Sequence, residues 1–409
     1  MRTATADRFR HLPLWNALSA MLPTESQTWL LRTCLGEGEE VARSWEIWTQ
    51  RVGSPLDGLR CPTRGSRWVL SELYSALRPL SASIDDRVMF LLRAARAVEE
   101  IRAAAHRRIL KDVLRVLVAS GALPLVMNGV ALQEAVYPDE RIRHGHDIDL
   151  LIRESRLETA MTALQKSGFV PTARLRMRGD STVRLGHSSG ACVSLWRSLF
   201  SIPSVSPPST DIRGRSVVRV VAGYRIPTLS PADALLSVLG RAGDSGSRAT
   251  LLWVCDAHHI IRKAPNFPWD VFGDAVVYCR KSLPILVFLT YLTDAFQLDV
   301  PDGLFDRLSR SAVHPSRLER DLALHGARQG RRPCNLVRTS RPSGEQLTVL
   351  RSLLCPSWSF ARRMGGAASP VRIAIRYITG PLRAAMRSSV KGRVRNGSCY
   401  PDGKRGGGP

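Results

Sequence analysis

The chain has 409 residues, 44% of them hydrophobic, which is enough for two or three domains with a substantial core and excludes a disordered chain. Lys and Arg number 59 against 35 Asp and Glu, and the formal charge of +24 attracts polyanions such as nucleotides, RNA, DNA or anionic lipid. No apolar run reaches the ~18 residues of a membrane span, the first residues lack the apolar core of a secretory signal, and the eight cysteines form no Cys-x-x-Cys pair, so a cytoplasmic protein with reduced thiols is expected. An arginine-rich codon usage gives the same charge excess, and both origins stay open.

Residues 1–98 alternate apolar clusters, such as Trp29-Leu30-Leu31 and Val88-Met89-Phe90-Leu91-Leu92, with breaks at Gly53-Ser54-Pro55 and Pro62-Thr63-Arg64-Gly65. The pattern predicts an N-terminal helical region of short helices without a chemical motif. From Glu99 to Ser120, Ile109, Leu110, Val113, Leu114, Leu117 and Val118 recur at helical spacing, and Gly121 suits the end of that helix. Leu123 to Met127 reads as a strand ended by Gly129, and a helix from Val130 to Val136 stops before Pro138. Asp147 to Ile152 is a second strand, and Glu154 to Lys166 a helix closed by Gly168. Further strands are expected at Phe169 to Leu175, Val183 to Leu185, Ala191 to Leu195 and Val217 to Ile226, with a proline-rich loop from Ile202 to Ser209. This order predicts an α/β domain over 99–228.

Ser230-Pro231-Ala232-Asp233 then supplies an N-cap, a first-turn proline and a first-turn acid. It opens a helical domain over 229–325, with helices from Leu251 to Arg262 and within Trp269 to Lys281. Residues 326–409 form a basic C-terminal region. From Leu322 onward the only acids are Glu345 and Asp402, and the Gly- and Arg-rich stretch from Lys391 to Pro409 reads as a disordered tail.

One stretch concentrates the chemistry: Asn128-Gly129-Val130-Ala131-Leu132, Tyr137-Pro138, then His146-Asp147-Ile148-Asp149-Leu150-Leu151. Side chains at i and i+2 of a strand share a face, so Asp147 and Asp149 project together. Two carboxylates that close repel unless a cation, a proton or a basic partner lies between them. A divalent metal is the commonest reason for such a pair on a rigid element, and two solvated acids at a strand end are the plain alternative. Gly129 at a helix start offers backbone N–H groups to a phosphate. Together these features point to metal-dependent nucleotidyl transfer. The chain has no P-loop, no dinucleotide-binding glycine motif and no nucleophile elbow. His144 and His146 read either as lining a nucleotide pocket or as loop histidines. His258 and His259, adjacent on a helix, diverge by about 100° and do not share a metal.

With Arg143, the same stretch resembles the uncharacterised bacterial nucleotidyltransferases of the DNA polymerase β-like superfamily. Their pattern is Lys-Gly-small-small-Leu, Tyr-Pro, and Arg-x-x-x-Asp-Ile-Asp-Leu-Leu. The helix from Glu154 to Gly168-Phe169, Leu229-Ser230-Pro231-Ala232-Asp233, Trp253-Val254-Cys255-Asp256 and Pro268-Trp269-Asp270 are similar to later family segments, so the resemblance spans Arg102 to Pro301. It implies an α+β fold, a polymerase β-like α/β domain flanked by N-terminal and C-terminal helical regions. It implies Asp147 and Asp149 as catalytic residues and ligands of Mg²⁺ (or Mn²⁺), with Asn128, Gly129, Val130 and Arg143 at the nucleotide. Arg143 would neutralise phosphate or brace the aspartates, unless it is an ordinary surface arginine.

Two positions depart from the family pattern. Asn128 stands where the family has lysine, and it brings no charge. Ser194, in Val193-Ser194-Leu195-Trp196, stands where the superfamily has a third carboxylate. A serine ligates metal weakly and is no general base at neutral pH. Asp256 either faces the acceptor or makes a structural hydrogen bond. The function implied is Mg-dependent transfer of an NMP group from an NTP to a hydroxyl or phosphate acceptor, whether a small molecule, a peptide product or a protein, in natural-product or polysaccharide biosynthesis. Two other readings stay open: a catalytically impaired scaffold or nucleotide-binding protein of this fold, and an RNA-binding or RNA-modifying protein acting through its basic C-terminal region.

Overall fold

In a computed structural model, the structure describes residues 4–60, 65–139, 141–145, 147–172, 182–200, 205–245 and 251–327, all within the unit Met1–Pro333. Residues 173–175 of an expected strand, His146, residues 202–204 of the proline-rich loop and the basic region from 328 onward lie outside the described residues.

Six short helices lead the chain: α1 (Ala4–Phe9), α2 (Trp15–Ser19), α3 (Glu25–Leu35), α4 (Glu39–Val52), α5 (Pro55–Arg60) and α6 (Leu70–Leu77). Local chemistry sets their ends. Thr24 opens α3 with a reciprocal capping box: its hydroxyl accepts from the Gln27 N–H at 3.3 Å, and the Gln27 side chain accepts from the Thr24 N–H at 2.9 Å. Gly53, at φ 71°, ends α4 in a conformation that favours glycine. The next helix, α7 (Asp86–Ala119), has 34 residues and begins well before the expected Glu99. Asp85 caps it by accepting from the N–H groups of Arg87 and Val88. It runs unbroken through residues 98 and 99. Val88, Met89 and Leu92 at its start join the main core, while Leu110, Val113, Leu114 and Leu117 further on are buried outside it.

The α/β part follows as β1 (Leu125–Met127), α8 (Asn128–Ala135), β2 (Ile148–Leu151), α9 (Leu157–Lys166), β3 (Val170–Pro171), β4 (Thr182–Gly186), β5 (Cys192–Trp196), α10 (Ser209–Gly214), β6 (Val217–Val221) and β7 (Tyr224–Thr228). The strands form one mixed sheet in the order β3-β4-β5-β2-β1-β7-β6. The central strand β2 runs antiparallel to β1 and parallel to β5. The single strand expected from Val217 to Ile226 is a hairpin instead. It turns at Ala222 and Gly223, with φ of 49° and 86°, the left-handed pair that a tight two-residue turn requires.

The helical part comprises α11 (Pro231–Ser245), α12 (Leu252–Lys263), α13 (Trp269–Tyr278), α14 (Ser282–Phe296), α15 (Asp302–Val313) and α16 (Arg317–Ala327). Ser230 caps α11 as expected: its hydroxyl accepts from the Asp233 N–H at 3.2 Å and donates to Asp233 Oδ2 at 2.7 Å. Arg215 closes on the same fully buried carboxylate at 2.8 Å. The first helices pack directly on these last ones. α1, α2 and α3 meet α14, α3 meets α12, and α2 meets α16. Thr28 and Tyr291 share a hydrogen bond of 3.0 Å, Arg32 Nε donates to the Ala295 carbonyl at 2.8 Å, and Arg8 bridges Asp302 and Asp306 at 2.6 and 2.9 Å. One main core therefore draws residues from Phe9 through Ala323. Among the described residues, no helix is long and apolar enough to cross a membrane.

Candidate active site

The register of the sheet assembles the site. Asp149 on β2 lies opposite Met127 on β1 and Ser194 on β5, and Ser194 in turn lies opposite Arg184 on β4. Residues in register share a face, so Asp149, Ser194 and Arg184 form one row across three strands. Cys192 and Trp196 flank Ser194 on the same side of β5, and Asp147 immediately precedes β2 on the side of Asp149. The residues between them, Ile148, Leu150, Val193 and Leu195, are buried on the opposite face. This is the alternation that an apolar strand carrying two acids predicts.

Each acid is already neutralised by protein groups. Arg184 Nη2 lies 2.6 and 2.5 Å from the two carboxylate oxygens of Asp147, and Arg184 Nε donates to Cys192 Sγ at 2.7 Å. Burial disfavours the Arg184 charge, but Cys192 and Asp147 more than offset it and raise the arginine above its ordinary value. Burial pushes the Cys192 thiol up, against the opposing pull of Arg184. Asp149 accepts from Trp196 Nε1 at 2.8 Å on one oxygen, and from Asn128 Nδ2 and Arg241 Nη1, both at 3.0 Å, on the other. Asn128 is held from behind by Ser237, whose hydroxyl donates to its Oδ1 at 2.8 Å. The Arg241 guanidinium lies 4.1 Å over the Trp196 ring, a cation–π contact that fixes its plane. Its Nε and Nη2 are buried with no hydrogen-bond partner among the described residues. Ser237 and Arg241 are one helical turn apart, so a single face of α11 supplies both contacts.

Asn128 begins α8 at φ 48°, a left-handed conformation that asparagine tolerates better than most residues. The strand therefore turns into a helix with no intervening loop, and the open N-terminus of α8, with Gly129 and Val130 in its first turn, stands beside Asp149. The first N–H groups of a helix have no partner within it. Gly129 is packed from behind: a Cβ there would meet Arg143 Nη1 at 3.4 Å and the Asp147 carbonyl at 3.5 Å.

Arg143 is not a surface residue, and the acid it braces is Asp256 rather than Asp147 or Asp149. It is buried, and its Nε and Nη2 grip Asp256 at 2.6 and 2.8 Å while Nη1 donates to the His144 carbonyl at 3.0 Å. Burial disfavours its charge, and the carboxylate of Asp256 more than restores it. Tyr137 also donates to Asp256, at 2.7 Å. Asp256 is thus a structural acceptor, joining α12 to the loop that leads into β2. His144 lies against Glu99 and Arg102, at 2.8 and 2.9 Å, and stacks on Trp68. His259 bonds Glu72 at 2.6 Å, and its ring stands nearly perpendicular to that of His258.

Sequence reasoning missed Arg184, Trp196, Ser237 and Arg241. Arg184 had a readable signal, as the one charged residue in the alternation Thr182-Val183-Arg184-Leu185. Arg241 had none, because its partner is 92 residues away. No group of three or more His, Cys, Asp and Glu is placed to hold a metal ion among the described residues. Two carboxylates nonetheless fit a single Mg²⁺ or Mn²⁺, since Mg²⁺ commonly takes one or two protein carboxylates and completes its shell with phosphate and water oxygens. Cys192, a soft donor, and the neutral Ser194 add little to such a set.

No curated protein matches the sequence as a relative. The pattern of a family described as uncharacterised nucleotidyltransferases matches residues 68–296, more than half of the chain. That span holds the acids Asp147 and Asp149, the start of α8, and the arginines and tryptophan that surround them, and the chain belongs to this nucleotidyltransferase family.

Proposed function

We propose that the protein transfers an NMP group from an NTP to a hydroxyl or phosphate acceptor, with one Mg²⁺ or Mn²⁺ held by Asp147 and Asp149. The observation that carries this reading is the convergence of a carboxylate on β2 and one just before it, an open helix N-terminus and an arginine with two buried nitrogens that have no partner among the described residues. When bound, the metal neutralises triphosphate oxygens and orients them. In the reaction the acceptor oxygen forms a bond to the α-phosphorus, the bond from that phosphorus to the β-phosphate oxygen breaks, and pyrophosphate leaves.

The chain's own residues explain how the site works without the usual lysine. Asn128 supplies an amide, and Arg241 brings a full positive charge to the same carboxylate oxygen that this amide touches. The Nε and Nη2 of Arg241 are donors for phosphate oxygens, and charge-assisted bonds of this kind are the strong ones. The N–H groups of Gly129 and Val130 add neutral donors at the helix start. Ser194 leaves the row without a third acid, so the acceptor's proton passes to a phosphate oxygen of the substrate or to water.

Pyrophosphate release from a mixture of NTPs, with Mg²⁺ and a pool of hydroxyl and phosphate acceptors, tests the reading. Wild type is expected to release pyrophosphate, Asp149→Ala to abolish release, and Arg241→Ala to reduce it by about 10²-fold or more, the cost typical of removing one charge-stabilising donor. Release that is unaffected by Asp149→Ala refutes chemistry at this site. A second reading, nucleotide binding without turnover, is favoured by Ser194 and by the hold of Arg184 on Asp147. NTP binding without pyrophosphate release identifies it.

A further inference from the structure

A cavity of about 480 Å³ shares no residue with the acid row. Its walls are the end of α6, Arg78 just beyond it, the first half of α7, and the loop between α8 and β2. Among the described residues, four arginines line it, Arg78, Arg93, Arg96 and Arg141, against two carboxylates, Glu100 and Asp139, so the described lining carries a net charge of +2 (4 − 2).

The two acids are used up inside the cavity. Arg96, only 9% exposed, pairs through Nη2 with Asp139 and through Nε with Glu100 at 3.2 Å, and its Nη1 reaches the hydroxyls of Ser71 and Ser75, both at 3.4 Å. Arg141 closes on Asp139 at 2.8 Å and on Glu100 at 3.5 Å. Burial works to raise the Asp139 carboxyl, but Arg141 and Arg96 overcome it and hold the group well below the usual carboxylate range. Arg78 and Arg93 are left over. Both are exposed at the cavity, and neither guanidinium has a hydrogen bond or ion pair among the described residues. Two guanidinium groups facing one cavity repel until an anion lies between them. The volume also suits a small ligand, for which pockets of roughly 300–1,000 Å³ are usual.

We propose that this cavity binds a compact di- or trianion carrying phosphate or carboxylate groups, which bridges Arg78 and Arg93 above the floor built by Arg96 and Asp139. The site is separate from the nucleotide site, and its ligand differs from the NTP.

Isothermal titration of the full chain tests this, with inorganic phosphate in one arm and citrate in the other, at constant ionic strength and in buffer freed of divalent metal on a chelating resin. Saturable binding of one ion per chain is expected in at least one arm, and the arm that binds tells phosphate from carboxylate recognition. Arg78→Gln/Arg93→Gln should weaken that binding at least tenfold, and Asp149→Ala should leave it unchanged. Both arginines are exposed and unpaired, so the double variant should keep its melting temperature; if it does not fold, Arg93→Gln alone is read in its place. The proposal is overturned if wild type binds neither ion saturably, if the variant binds as well as wild type, or if binding follows Asp149.

Discussion

Replacing Asp256 by alanine should cost more stability than any other single change around the acid row. The carboxylate accepts two bonds from Arg143, at 2.6 and 2.8 Å, and one from Tyr137 at 2.7 Å, and both members of the ion pair are buried. Its removal strands a guanidinium in the interior, which costs about 3–5 kcal/mol, and takes an acceptor from a buried hydroxyl, which costs about 1–3 kcal/mol. The sum is a large share of the roughly 5–15 kcal/mol that holds a typical domain together. Urea unfolding followed by tryptophan fluorescence measures the loss. The pair Arg143→Met/Asp256→Leu should recover most of it, because replacing a buried ion pair by apolar groups is often close to neutral. A loss below about 1 kcal/mol for Asp256→Ala, on the same scale, or a double variant no better than the single one, would refute the assignment of Arg143 as a buried brace.

Three further outcomes are expected. Burial, aided by His259 and Arg262, pushes the His258 imidazole down to about 3. The unfolded chain then takes up a proton below about pH 6.5 that the folded chain refuses, so stability falls by about 2 kcal/mol between pH 7 and pH 5. Urea midpoints at pH 7, 6 and 5 should show that slope flattened in His258→Gln, and an unchanged slope counts against the buried neutral ring. Gly240→Ala places a Cβ 2.5 Å from the Phe200 ring, and thermal melts should show a loss of about 1–3 kcal/mol, the usual cost of overpacking. Ser194→Asp sets a third carboxylate in register with Asp149. It should raise Mn²⁺ affinity several-fold in the presence of an NTP, by calorimetry, and lower stability in its absence; unchanged affinity argues against the proposed metal site.

The acid row was legible because it rests on the strictest local rule, the two-residue period of a strand. The start of α11 was legible for a similar reason, since a serine cap and a proline act over three residues. The true beginning of α7 was obscured because its first half mixes the period: Phe90 and Ile101 are 71% and 72% exposed, while Arg96 is buried. The hairpin at Ala222 and Gly223 lacks the Asn-Gly or Asp-Gly pair that usually marks such a turn. What Arg143 and Arg241 do is settled by partners 113 and 92 residues away, and no local pattern encodes a contact at that separation.

The packing of α1–α3 on the last helices has a consequence for how the chain is made. The bonds Thr28–Tyr291, Arg32–Ala295 and Arg8–Asp302 join residues 263 to 294 positions apart. At a synthesis rate of roughly 5–20 residues per second, their partners emerge from the ribosome about 13–60 s later. During that interval α3 has α4 and α6 to pack against, but Phe9 and Trp15, buried in the finished fold, lack the α14 and α16 surfaces on which α1 and α2 pack. Apolar surface left bare in that interval favours aggregation, and shielding of α1 and α2 until α14 emerges would counter it.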